Sequence, residues 1–340
     1  MVHSYLYHVA GIAVSLLPVF MFLISLVFLD SFKLIKIRSI ILTILYGCII
    51  SGVCYLVNTF LLQSIEIDIS LYSKYFAPTI EEIFKGLCIV FLIRKDHIGF
   101  MVDAAIFGFA AGAGFAFIEN IYYLEALEDA SIFVWVVRGF GTAIMHGGTT
   151  AIFAIMSKSY SDRKSSKGLL VFLPGIAAAI IIHSFFNHFF LPPLTSTVIL
   201  LVSLPLVIIV VFTQSEKFTK RWLGVGFDTD QDMLNMITDG NITDTKIGQY
   251  LTSLKSRFPG EIVVDMLCLL RIHLELSVRA KGVLMMRESG FNPPVGEDIK
   301  DKFSELRYLE KSIGKTGQLA ISPFLHTSSR DLWQLHMLEG

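Results

Sequence analysis

Long apolar runs separated by short polar clusters fill the first two thirds of the chain. A membrane-crossing helix needs about 20 mostly apolar residues. Seven stretches qualify: about 6–29, 39–62, 75–93, 98–124, 132–156, 168–191 and 195–213. Beyond residue 214 the pattern becomes amphipathic. Glu261–Met286 carries apolar residues at three- and four-residue intervals and follows Pro259-Gly260, which can open a helix. Glu297–Gly314 repeats that pattern after the breaker Asn292–Pro294, with Gly314 as a stop. The fold class that follows is all-α: a polytopic membrane helix bundle of about seven spans over residues 1–214, then a C-terminal helical cytoplasmic domain over 215–340.

Composition agrees with this division. Hydrophobic residues make up 54% of the 340 positions and charged residues 17%, with a mean hydropathy of +0.64. Residues 1–214 hold 12 Lys+Arg and 12 Asp+Glu, against 16 and 17 in the shorter remainder, so the charge sits in the tail. A net charge of −1 gives no reason to expect a nucleic-acid partner. The polar loops alternate in sign, from Lys33, Lys36 and Arg38 through Glu66 and Asp68 to Arg94 and Lys95. Glu125, Glu128 and Asp129 follow, then Lys158, Arg163, Lys164 and Lys167, and last Lys217, Lys220 and Arg221. By the positive-inside rule the N-terminus is expected outside and the tail in the cytoplasm. The first apolar run has no basic flank and exceeds the core of a cleaved signal peptide, so it reads as a retained helix. Cys48, Cys54, Cys88 and Cys268 show no CxxC spacing and suggest neither a disulfide framework nor a cysteine zinc site. Small residues at Gly108, Gly112 and Gly114, and Cys48 with Gly52, have the spacing of close helix packing.

Ionisable groups at membrane depth are costly, and they normally face a protein interior or a wet cavity. Here they are Glu81, Glu82 and Lys85 on the third stretch, Asp103 and Glu119 on the fourth, Arg138 and His146 on the fifth, and His183, Asn187 and His188 on the sixth. Residues four apart share a helix face, which pairs Glu81 with Lys85, Phe115 with Glu119, His146 with Thr150 and His183 with Asn187. Counted from the outer helix ends, Glu81, Glu82, Glu119, His183 and Asn187 fall in one layer, while His146 lies deeper. Such a set serves water-activated hydrolysis by either of two routes. Histidine and carboxylate can hold a zinc ion that acidifies water. Alternatively a glutamate acts as the base while histidine and asparagine hold the water and the oxyanion. Structural roles compete at several positions: Lys85 as an ion-pair partner of Glu81, His188 as a helix–helix hydrogen-bonding group, and Asp103 and Arg138 as structural or snorkelling groups. His3 and His8 read as surface residues. A proton- or ion-coupled transporter is the alternative use of the buried Glu/His/Lys cluster, although no repeated half with matching helix breaks is evident. A receptor-like reading rests on the number of spans alone.

Four motifs occur in order on successive stretches: "EEIFK" at Glu81–Lys85, "FAFIEN" at Phe115–Asn120, "HGGTT" at His146–Thr150 and "HSFFN" at His183–Asn187. Together they resemble the PrsW family of intramembrane proteases, related to the wider CAAX-protease and bacteriocin-processing group. The resemblance implies a protease that cuts single-span, membrane-anchored proteins, such as an anti-sigma factor, in a bacterial-type plasma membrane. Glu81, Glu82, His146, His183, Glu119 and Asn187 would form its catalytic site. If a metal such as Zn2+ is used, Glu82, His146 and His183 are the expected ligands; a metal-free glutamate mechanism stays open. The tail carries no phosphate loop or catalytic pair in its sequence, and its amphipathic pattern suits regulation or homo-oligomer contacts.

Overall fold

A helix pairs its own backbone N–H and C=O groups, which hydrocarbon would otherwise leave unsatisfied. Every regular element among the described residues of the computed structural model is helical. The described residues are 2–339 without 31, 33, 34, 128, 129, 165, 292, 294, 295, 297 and 326–328, and without the side chains of 2–8, 329, 330, 332, 336 and 339. The expectations for His3, His8, Lys33, Glu128, Asp129, Asn292, Pro294 and Glu297 lie outside them.

Contacts divide the chain into two units, Met1–Ser215 and Glu216–Gly340. The first contains α1 (Val2–Leu29), α2 (Ile37–Ser64), α3 (Ala77–Arg94) and α4 (Met101–Ala126). A rod follows, made of α5 (Ile132–Val136), a π-helical stretch (Val137–Thr142) and α6 (Ala143–Lys164). Then come α7 (Leu173–Asn187) and the start of α8 (Pro193–Thr238). Among the described residues, five helices are long and apolar enough to cross a membrane: Val9–Leu29, Ile37–Ser64, Met101–Ala126, Leu169–Asn187 and Pro193–Thr238. The two remaining expected spans are helical as well, as α3 and the α5–α6 rod. Their hydropathy is lowered by the residues that make them interesting, Glu81, Glu82 and Lys85 on one and Arg138, His146 and a run of small polar residues on the other.

Helix α4 is the hub. It is 83% buried over its apolar window, against 28% for α1 and for α2. Asp103 closes its first turn, accepting from the backbone of Gly99 and Phe100 at 3.0 Å each, so this buried carboxylate is structural. Close approach depends on glycine at two positions in particular. A Cβ at Gly108 would lie 2.6 Å from the Thr150 carbonyl, and one at Gly112 would overlap the His146 carbonyl. The absence of these side chains seats α4 directly on the backbone of α6 and sets the spacing between Glu119 and His146. The Cys48–Gly52 pair makes no such approach, because nothing lies near Gly52; Gly47 is the α2 glycine that meets α4, at Ala111. We expect Gly112→Val to destabilise the bundle by about 1–3 kcal/mol through overpacking. A lowered thermal midpoint in detergent, followed by circular dichroism, checks it.

The second unit contains the rest of α8, α9 (Lys246–Leu254), α10 (Gly260–Glu288), α11 (Ile299–Ile321) and α12 (Ser329–Glu339). Its core runs through Met266, Leu270, Leu274, Phe303, Leu309 and Ile321. Pro259 precedes α10 as its N-cap, where a missing N–H costs nothing. Gly314 ends the first helical stretch of α11, as expected. It takes a left-handed φ of 64°, kinks the path, and the helix resumes to Ile321.

Candidate functional site

The site begins with a proline. Pro78 stands in the first turn of α3 and has no N–H, so the preceding carbonyls of Ser73 and Lys74 lose the donor that a continuing helix would supply. Locally the backbone takes a π turn over Tyr72–Phe76. Donors arrive from α7: Asn187 Nδ2 to Ser73 O at 3.1 Å and Ser184 Oγ to Lys74 O at 2.6 Å. His188 adds a contact of 2.9 Å to the Tyr75 hydroxyl, the helix–helix role expected of it. The end of α7 is thereby fastened to the start of α3, which brings His183 to the paired glutamates. Asn187 is a fastener in this geometry and does not join the carboxylates, a correction to its expected place in the site.

Glu82 and Lys85 lie at the buried centre, 1% and 0% exposed, with Lys85 Nζ 2.6 Å from Glu82 Oε1. The expected Glu81–Lys85 pairing is thus replaced by the i,i+3 pair. The reason is burial: an ammonium in the interior needs partners there, and Lys85 finds Glu82, the Nδ1 of His146 at 3.1 Å and the Phe115 ring at 4.9 Å. Glu82 Oε1 also accepts from Thr149 Oγ1 at 3.1 Å and from His183 Nδ1 at 2.8 Å. Glu81 turns the other way. Its Oε1 is 3.4 Å from Asn58 Nδ2 on α2, and the Tyr72 hydroxyl donates to Asn58 at 2.9 Å.

The two imidazoles meet edge to face, centroids 4.8 Å apart. His183 Nδ1 donates to Glu82, so its Nε2 presents a lone pair toward Glu81 Oε2, 3.9 Å away. That gap exceeds direct hydrogen bonding and suits a bridging water. His146 receives Lys85 on Nδ1, and its Nε2 lies 2.7 Å from Glu119 Oε2. His146 therefore belongs to the cluster despite its depth in the linear count. Thr150, expected beside it, bonds only the His146 backbone carbonyl, at 3.0 Å.

Three carboxylates, Glu81, Glu82 and Glu119, face two fixed cations, Lys85 and Arg138. The Glu81 carboxylate and the imidazole lone pair suit a divalent cation. One donor atom each from Glu81, His146 and His183 lies within 4.8 Å of the others. Two imidazoles and one carboxylate make a donor set of the kind that catalytic zinc uses. The residues fit such an ion where it takes the place of Lys85 at His146 Nδ1, since Nε2 faces Glu119. The carboxylate in this group is that of Glu81, while Glu82 Oε1 accepts from Lys85, Thr149 and His183. Glu82 instead orients His183 from behind, as outer carboxylates do for metal-bound histidines.

A protein-family model described as "PrsW family intramembrane metalloprotease" matches residues 36–213, more than half of the chain. The chain belongs to this family. It is accordingly an intramembrane protease and an integral membrane protein, and the match favours hydrolysis over transport. The matched region holds every residue of the cluster and leaves α1 and all of the second unit outside. No curated protein and no solved structure is significantly similar to the chain.

Sequence reasoning missed Asn58, Tyr72 and Thr149 as members of the polar network and set Arg138 aside. Asn58 carries a weak signal, as a lone amide in an apolar helix. Thr149 lay inside a quoted motif but off the i+4 face. Arg138 is moved into the site by backbone geometry that residue counting cannot see.

Proposed function

We propose that this protein is a zinc-dependent endopeptidase cutting single-span, membrane-anchored substrates within the outer half of the bilayer. The observation that carries this is the convergence of Glu81, His146 and His183, from α3, α6 and α7, in a polar pocket inside an apolar bundle. Glu81, His146 and His183 would hold the metal, which when bound supplies Lewis acidity toward water and the scissile carbonyl.

The chain's own groups do the remainder. With Glu81 and His183 holding the metal, the Glu81 carboxylate oxygen not engaged in that holding takes the proton of the attacking water as the peptide carbonyl is attacked. Glu82, fixed by Lys85 and Thr149, keeps His183 in the tautomer with Nε2 free. Lys85 supplies positive charge and hydrogen-bond donors where negative charge develops on the carbonyl oxygen. Glu81 and Glu119 side chains are 16% and 25% exposed while Glu82 is 1%, which puts the entrance on the Glu81–Glu119 side. A substrate helix must unwind there, since an intact helix hides its carbonyls.

The helical segments fit seven crossings, and the loop charges then put the N-terminus outside and the second unit in the cytoplasm. There the second unit serves as a regulatory or dimerisation module. By resemblance, substrates are of the anti-sigma-factor type.

Metal analysis tests the proposal. Purified protein should carry about one zinc per chain, lose cleavage of a single-span reporter on chelation and regain it with zinc. Cleavage that persists in metal-free protein would overturn the zinc assignment and leave Glu81 as the sole activator.

A further inference from the structure

Arg138 sits where uninterrupted α-helix would not place it. Eight residues separate it from His146, about 2.2 turns of α-helix, which would splay the two side chains by roughly 80°. The π stretch Val137–Thr142 between them absorbs an extra residue, so the separation acts like about seven residues, close to two full turns. Both side chains consequently reach the same carboxylate: Arg138 Nη2 is 3.2 Å from Glu119 Oε1, and His146 Nε2 is 2.7 Å from Glu119 Oε2.

The guanidinium is held on two further sides. Its Nε donates to Asn120 Oδ1 at 3.0 Å, and its Cζ lies 3.6 Å from the centre of the Tyr123 ring. Asn120 is buried, and its Nδ2 donates to the Ser15 carbonyl on α1 at 2.8 Å. In the same π stretch Gly139 has no side chain to hold α1 away; a Cβ there would lie 3.0 Å from Ser15 Cα. The first helix, outside the family match, is thus fastened to the residue that grips Glu119.

We infer that Arg138 is a positioning residue for the reaction: anchored through Asn120 to α1, it holds Glu119 so that Glu119 in turn orients His146. The fork geometry matters. Arginine can ion-pair with Glu119 through Nη2 while Nε donates to Asn120, whereas lysine has one nitrogen for both tasks. Glu119 lies at the wetter side of the cluster, and without the grip its carboxylate is free to swing to water and release the imidazole.

This inference rests on the protease reading, and the test separates the two. Reporter cleavage is measured with purified full-length wild type, Arg138→Gln, Arg138→Lys, Glu119→Gln and the Arg138→Gln/Glu119→Gln double variant. Zinc retention against a competing chelator is measured in parallel. Losing a partner that orients a metal-binding histidine typically costs about 10–100-fold in activity or metal affinity. Arg138→Gln should show that loss in kcat with KM little changed, and it should release zinc correspondingly more readily. Arg138→Lys should recover part of it. Because Arg138 acts through Glu119, the double variant should be no slower than Glu119→Gln alone, whereas an unrelated stabilising role would make the losses multiply. A wild type that cuts, with Arg138→Gln equally fast or with multiplicative losses, overturns the role of Arg138 alone. A wild type that cuts nothing overturns the protease reading and this inference with it. If Arg138→Gln fails to accumulate, Arg138→Lys decides: wild-type kcat and zinc retention in that variant contradict the fork, and a partial loss supports it.

Discussion

Glu81→Gln is expected to lower reporter cleavage by about 10²–10⁴-fold, the range lost with a positioned proton acceptor, while the protein accumulates and melts as wild type does. The separation of the two effects follows from where Glu81 sits. The buried ammonium of Lys85 is paired with Glu82, 2.6 Å away, so the exchange at Glu81 removes a carboxylate without stranding a charge. Glutamine keeps the volume and can still meet Asn58. What it cannot do is accept a proton from water or bind a metal as an anion. Both uses need the carboxylate that faces His183 across 3.9 Å. A Glu81→Gln variant that cleaves at the wild-type rate would remove Glu81 from the chemistry.

His183→Ala is expected to be at least as severe, about 10³-fold or more in kcat. The imidazole does two jobs, holding Glu82 through Nδ1 at 2.8 Å and presenting Nε2 toward Glu81. Its loss empties the centre of the cluster but leaves Glu82 bonded to Lys85 and Thr149. Ser184 and Asn187 still fasten α7 to the carbonyls before Pro78. The bundle should therefore persist, and zinc content should fall along with activity. Retained zinc with full cleavage would place the site elsewhere.

Much of this was legible in the sequence because hydrocarbon is an exacting solvent. Apolar runs had to be helices, and charged groups inside them had to turn inward and meet. The depth layer holding Glu81, Glu82, Glu119 and His183 follows from that and from residue counting. Two misplacements share one cause, departure from regular α-helix. Pro78 removes a donor, the backbone answers with a π turn, and Asn187 is drawn to Ser73 instead of to the glutamates. The second π stretch turns Arg138 onto the face of His146, where i,i+4 counting could not find it. The pairing of Lys85 with Glu82 instead of Glu81 has a different origin. Three and four residues are equally reachable on a helix, and only the tertiary position of His146, Thr149 and His183 decides which glutamate Lys85 takes.

The most direct test uses purified protein in liposomes with a single-span substrate, reading the products by mass spectrometry for wild type, Glu81→Gln and His183→Ala. The expected result is one new peptide end within or beside the substrate's membrane segment for wild type and intact substrate for both variants. Substrate left whole by the wild type, or cut equally by all three, would contradict peptide hydrolysis at the Glu81–His183 cluster.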